Sequence, residues 1–394
     1  MARPKKIKEK KVRAAKAPKT VKAKKPPKEK KVKQSANISF FEKLVESAGN
    51  DLAQAASNGI MSGDVTGWID TGVYMLNAQL SGSLFGGVPD NKIIVFAGPE
   101  AVGKTYFILS IVKFFLDSNP EAGVIFCESE GAISKEMLLE RGIDTTRVFI
   151  VPVSTVQEWR TQSLKILATY KDAPVDSRRP MMFCLDSLGM LSTTKEMEDS
   201  ESGSEKADMT RARLIKAAFR TMTLKLGVLH VPFLITNHTY DTQGLFSTKT
   251  MSGGSGTKYA NSMTIFLGKS KEKEGTEVVG SIIRSTLKKG RLTKENTMVE
   301  VKLYYDRGLD RYYGLLDLGL KYDIVKKVKD GKFSIGGKVA SEKVIYSHPE
   351  QYFTSEVMQE LEVAAGKEYK YGSNILLSKE DEEPDMEDIE IEPE

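Results

Sequence analysis

The sequence predicts an α/β fold: a mostly parallel sheet covered by helices, carrying an antiparallel extension. Three observations point to it. Between Tyr74 and about Leu316, strand-like apolar runs alternate with helix-like segments. The string GPEAVGKT, Gly98 to Thr105, stands between one such run and an amphipathic segment. Finally, two late strands are separated by nothing longer than the turn KGRLTKEN, which suits an antiparallel pair.

In chain order, the first segment mixes Lys, Ala and Pro with almost nothing to bury, so residues 1–36 are read as a disordered basic tail. From Ile38 to about Ala56, Phe40, Phe41, Leu44, Val45, Ala48, Leu52 and Ala55 recur at helical spacing. Residues 37–72 are therefore a helix and linker that pack on the core or on a neighbouring copy. The core, 73–316, contains the strands KIIVFAG, GVIFCES, VFIVPV, PMMFCLDS, VPFLITN and SMTIFLG, followed by SIIRSTLK and TMVEVKLYY. Two long stretches, STTKEMEDSESGSEKADM and TYDTQGLFSTKTMSGGSGTK, show no strand or helix period, and such length points to function or disorder. Residues 317–377 read as a small C-terminal α/β domain, and 378–394 as an acidic tail.

A chain of 394 residues is long enough to bury a sizeable core. No run approaches the roughly 20 apolar residues of a membrane span, and the N-terminus lacks a secretory apolar core, so a cytoplasmic protein without membrane partners is expected. Cys127 and Cys184 sit inside apolar runs, as buried strand residues do, and not in a metal or disulfide pattern. The net charge of +5 conceals polarised ends. Residues 1–34 carry roughly +14 and residues 378–394 roughly −9, leaving the body near zero. Such arms touch polyanions or mask basic surfaces, the alternative being that they only solubilise the chain.

The string Gly98, Pro99, Glu100, Ala101, Val102, Gly103, Lys104, Thr105, followed by Tyr106 at the head of the next helix, has the composition and flanks of a phosphate loop. Glycines let backbone N–H groups and a helix N-terminus surround phosphates, Lys104 neutralises the β and γ oxygens, and Thr105 is a magnesium ligand. Asp186, ending an apolar strand, supplies the second metal contact, direct or through water. Glu128 and Glu130 both emerge after VIFC, and either suits the role of orienting the attacking water. Asn237 and His238 end VPFLITN, on the sheet edge that carries nucleotides in open α/β folds. The cofactors implied are ATP and Mg²⁺.

Read together, these pieces resemble the RecA recombinase family, and more closely the UvsX recombinases of large tailed phages. The resemblance rests on TGVYMLNAQLSGSLFGGVPDNKIIVFAGPEAVGKT, MMFCLDSLGML, LITNHTYDTQGLF, SGGSGTKYANSMTIFL and GLLDLGLKYDIV, and runs from about residue 40 to 375. It implies a RecA-type ATPase core and a DNA-dependent ATPase that forms filaments on single-stranded DNA and exchanges strands with a duplex. It places the catalytic glutamate at Glu130 and a γ-phosphate sensor at His238, where bacterial members usually have glutamine. It also places at Lys289 and Arg291 a basic pair that reaches a neighbour's ATP. DNA contacts fall on Arg211 and Arg213 and, in the second loop, on Phe246, Lys249, Gly253, Gly254 and Lys258, recognising backbone and not base sequence. The partners implied are single- and double-stranded DNA, further copies of the chain, a recombination mediator and a single-strand-binding protein. Two alternatives stay open: a ring helicase of the same fold, and a DNA-binding relative that does not hydrolyse ATP.

Overall fold

The computed structural model describes residues 36–50, 52–202, 210–241, 249–251, 259–274 and 276–372. The chain divides into two units, one up to Asn58 and one from Gly59 onward. In the first, α1 spans Ala36–Ser47. It is shorter than the apolar spacing predicts, because Gly49 adopts a left-handed conformation just past its end. Phe40, Phe41 and Leu44 on this helix are exposed.

The second unit is built on a ten-stranded sheet. Its short entry strands β1 (Trp68–Ile69) and β2 (Val88–Pro89) form a separate pair flanking α2 (Tyr74–Ser81). The main sheet begins with β3 (Ile93–Gly98), α3 (Lys104–Ser118), β4 (Gly123–Glu128), α4 (Lys135–Glu140), β5 (Val148–Pro152), α5 (Val156–Asp172) and β6 (Met181–Asp186). It continues through α6 (Thr194–Glu201), α7 (Arg211–Val228), β7 (Phe233–Asp241), β8 (Lys249–Met251), β9 (Met263–Glu274), β10 (Glu277–Gly290), β11 (Met298–Tyr304) and β12 (Gly308–Leu309). The spatial order is β12-β11-β10-β9-β3-β7-β6-β4-β5, with β8 on β7. Along the order from β9 to β5 the pairings are parallel, whereas β10, β11 and β12 at one edge, and β8 on β7, add on antiparallel. The predicted fold class is the observed one.

Strand β3 lies at the centre and is buried throughout. Its side chains alternate between two cores: Ile94 and Phe96 join one, Ile93, Val95 and Ala97 the other, as the two-residue period of a strand covered on both faces requires. Helix α3 turns Phe107, Ile108, Ile111, Val112 and Phe115 onto the first core. Cys127 and Cys184 are free and buried.

The stretch after Asp186, which lacks an apolar period, nevertheless contains α6. Nothing on this helix is buried. It is set by a capping box in which Thr193 Oγ1 accepts from Glu196 N and the Glu196 carboxylate accepts from Thr193 N. A search for hydrophobic periodicity cannot see such a helix. Beyond the sheet come α8 (Leu315–Lys321), a three-stranded sheet of β13 (Val325–Lys327), β14 (Lys332–Ile335) and β15 (Lys338–Ser341), then α9 (Glu342–Ser347), α10 (Pro349–Tyr352) and α11 (Ser355–Tyr369). Leu361, Ala365 and Tyr369 of α11 enter the same hydrophobic core as Leu76 and Leu318, so these elements are packed into the second unit. Among the described residues no helix is long and apolar enough to cross a membrane.

Candidate nucleotide site

The loop from Gly98 to Thr105 joins the C-terminal end of β3 to α3. Ala101 and Gly103 take left-handed conformations, with φ of 54° and 101°. No side chain caps the N-terminus of α3, so its first N–H groups are presented to the loop's interior. A Cβ at Gly98 would lie 2.9 Å from Val102 and 3.0 Å from the carbonyl of Leu267, so this turn closes only around glycine. Lys104 is 7% exposed and its Nζ donates to the carbonyls of Gly98 (3.1 Å) and Pro99 (2.9 Å). Burial lowers its pKa, opposed by the charges of Glu130, Asp186 and Glu100. An anion in the loop would meet this ammonium directly.

Parallel pairing brings the strand ends together. Asp186 closes β6 and is 2% exposed. Thr105 Oγ1 donates to one of its oxygens at 2.6 Å and Thr236 Oγ1 to the other. Burial raises the Asp186 pKa against both hydrogen bonds. A divalent cation here would offset that burial, and the all-oxygen donor set suits magnesium.

Glu128 and Glu130, equivalent in the local sequence, are separated by the fold. Glu128 Oε1 accepts from the backbone N–H groups of Glu130 and Ala132, both at 3.0 Å, and so braces the turn after β4. The Glu130 carboxylate instead faces the cleft, where Oε1 lies 3.1 Å from Nε2 of His238, the β7 residue in register with Gly98. Burial pushes the Glu130 pKa up, but the neighbouring Ser187 hydroxyl, His238 and Lys104 more than offset it and hold the group below its ordinary value. The cleft, about 480 Å³, is lined by these groups together with Tyr106, Met137 and Arg141.

A second cleft of about 500 Å³ shares Tyr106 and Arg141 with the first and continues to Tyr305, Arg307 and Arg311. The Arg141 guanidinium lies 4.9 Å from the Tyr106 ring. Sequence reading missed Arg141, Tyr305 and Arg307, which no motif marks. It also missed Lys216 and Arg220, which share an exposed face of α7 with Arg213 at i, i+3 and i+7, a spacing that was legible.

Lys289 and Arg291 lie elsewhere. Lys289 pairs with Thr264 and Gly290 with Met263, and Met263 is level with Ile94 near the start of β3. Four residues of strand, about 13 Å, separate that level from Gly98. Lys289 Nζ donates to Asn261 O at 2.7 Å and Arg291 Nη2 to Tyr259 O at 3.3 Å. Burial, then Arg291, lowers the Lys289 pKa, with Glu295 opposing.

Arg213 is exposed, whereas Arg211 is half-buried and donates to the carbonyls of Leu188 (3.0 Å), Gly189 (2.6 Å) and Leu191 (2.6 Å). Its guanidinium thus clamps the turn after β6. Phe246, Gly253, Gly254 and Lys258 lie outside the described residues, and of Lys249 only the backbone, in β8, is described.

A family model described as the RecA N-terminal domain matches residues 60–310. The chain is 33% identical over 266 residues to the recombination and repair protein of Enterobacteria phage T4, a match covering 68% of this chain and 66% of that protein. It is 25% identical over 326 residues to the RecA protein of Nautilia profundicola, covering 80% and 87% respectively. Against the RecA protein of Paenarthrobacter aurescens the figures are 26% over 322 residues, covering 79% and 86%.

Proposed function

The chain belongs to the RecA family of recombination and repair proteins, and from that premise we propose that it is a DNA-dependent ATPase that assembles as a filament on single-stranded DNA and exchanges strands with a homologous duplex. One observation carries this reading. The phosphate loop, Glu130, Asp186 and His238 gather at one end of the sheet, while the cations Lys289 and Arg291 sit at the other end. A basic pair so placed serves a second copy stacked end to end, and each site is then completed by a neighbour.

In this reading the N–H groups of the loop and Lys104 bind the triphosphate, and the cleft past Tyr106 and Arg141 receives the base. Magnesium held at Thr105 and Asp186 would neutralise charge on the β and γ oxygens. Glu130 orients water for attack on the γ-phosphate, and His238 registers that phosphate from the strand that leads into the second DNA loop. The neighbour's Lys289 and Arg291 stabilise charge on the transferring group. Arg213, Lys216 and Arg220 hold phosphates of the DNA backbone. The exposed apolar face of α1 and the exposed Phe149 and Ile150 on the edge strand β5 are surfaces that self-assembly would cover. A recombination mediator and a single-strand-binding protein complete the proposed partners, in the cytoplasm of the cell where the protein works.

The test is ATP turnover with and without single-stranded DNA, run beside electron microscopy of the assembly. DNA-stimulated turnover on open helical filaments supports the reading. Closed hexamers would favour the ring helicase, and DNA binding without turnover the non-hydrolysing relative.

A further inference from the structure

Ser187 follows Asp186 and stands at the position preceding the short turn Leu188–Met190, where a serine hydroxyl ordinarily caps the first N–H groups. Here it caps nothing. The residue is 0% exposed, and among the described residues its Oγ has no hydrogen-bonding partner of good geometry. The Glu130 carboxylate is near enough for the hydroxyl to lower its pKa, and its Oε1 is turned to His238.

The backbone around Ser187 is held tightly. Ser129, between the two glutamates, accepts from Ser187 N at 2.9 Å and donates to Ser187 O at 2.8 Å, and Ser129 N donates to Asp186 O at 2.9 Å. On the far side, Arg211 holds the carbonyls of Leu188 and Gly189. His238 presses on the same turn, since a Cβ at Gly189 would lie 2.8 Å from its ring. A buried hydroxyl with a fixed backbone and a carboxylate beside it is a donor placed for that carboxylate, which also meets His238 through one oxygen.

We propose that Ser187 is the positioning residue for Glu130: its hydroxyl takes over the carboxylate when His238 leaves Glu130 for the γ-phosphate. Glu130 then has two donors, one for each state of the site. With His238 it is held away from its task; with Ser187 it is held in place for water. The inference rests on the reading of this cleft as an ATPase site.

The experiment compares steady-state ATP turnover of the full chain and its variants on single-stranded DNA, with nucleotide affinity measured separately by a fluorescent ATP analogue. Ser187→Ala should lower kcat about tenfold while KM and nucleotide affinity stay unchanged, because the hydroxyl acts through Glu130 and not on ATP. Ser187→Thr, which keeps the hydroxyl, should restore turnover; Ser187→Cys, of similar volume and a weaker donor, should fall between. In a His238→Ala background the loss from Ser187→Ala should persist, since the hydroxyl acts in the state that His238 has left. Unchanged kcat in Ser187→Ala overturns the assignment, as does a loss of kcat accompanied by equal losses of affinity and thermal stability. A wild type that binds nucleotide without turnover overturns the proposed function itself, a result distinct from these.

Discussion

Glu130 Oε1, in the turn after β4, and His238 Nε2, within β7, lie 3.1 Å apart across the intervening β6. The group that would orient water and the group that would sense phosphate are therefore in contact. Glu130→Gln should retain nucleotide binding and lower turnover by about 10²-fold or more. Glu128→Gln, by weakening a brace on two backbone N–H groups, should act chiefly on stability. Near-normal turnover in the Glu130 variant would move the role elsewhere.

The placement of Lys289 and Arg291 at the far end of the sheet leads to a mixing test. Lys104→Ala and the double variant Lys289→Ala, Arg291→Ala should each be nearly inactive, since loss of a charge-stabilising contact in trans costs roughly 10³-fold or more. Co-assembled in equal amounts, about one junction in four pairs an intact loop with intact cations, and activity should return in proportion. Co-filaments that form, as shown by fluorescence transfer, yet stay inert at every ratio would mean that the pair does not act across the interface.

On α7 the two kinds of arginine should separate. Replacing Arg213, Lys216 and Arg220 by alanine should weaken single-stranded DNA binding alike for all sequences, and flatten its salt dependence by roughly 0.7 per lost phosphate contact. Arg211→Ala leaves three carbonyls of the turn after β6 without their donor and should cost about 1–3 kcal/mol of stability. Denaturant midpoints and salt titrations of both variants check this, and an unchanged midpoint for Arg211→Ala would show that the clamp is dispensable.

Glu368 on α11 accepts from Lys321 Nζ at 2.6 Å and from Tyr322 Oη at 2.9 Å. Burial pushes its pKa up, but these two hydrogen bonds and the lysine charges hold it below its ordinary value. A carboxyl whose folded pKa is depressed contributes stability above its unfolded value of about 4.3 and loses it as pH falls through the folded value. The lysine is largely in solvent, so Glu368→Gln should cost no more than about 1 kcal/mol at neutral pH. Its melting temperature should approach that of the wild type as pH falls from the unfolded value of about 4.3 through the lower folded one, and a gap that persists in acid would assign the effect to packing.

The amino-acid sequence by itself determined the sheet, its antiparallel extension and the phosphate loop, because each is written locally: in apolar periods of two and 3.6, in a short turn, and in glycines at fixed offsets before Lys104 and Thr105. It also marked Asp186 and the pair Glu128 and Glu130 as strand-end acids. It did not mark α6, whose stability comes from one capping box and from no buried face. Only the tertiary structure gives the two glutamates different partners, because Glu128 is directed to backbone N–H groups two and four residues on, while Glu130 meets a histidine 108 residues away. The same holds for Arg211, whose charge suits DNA in the sequence but whose guanidinium is taken up by carbonyls some twenty residues earlier. The Ser187 hydroxyl, without a hydrogen-bonding partner among the described residues, is likewise buried only because β4 and β6 end beside β7. Local patterns specify elements; what a polar side chain does depends on which partners reach it, and that is settled by strand order and register across the sheet.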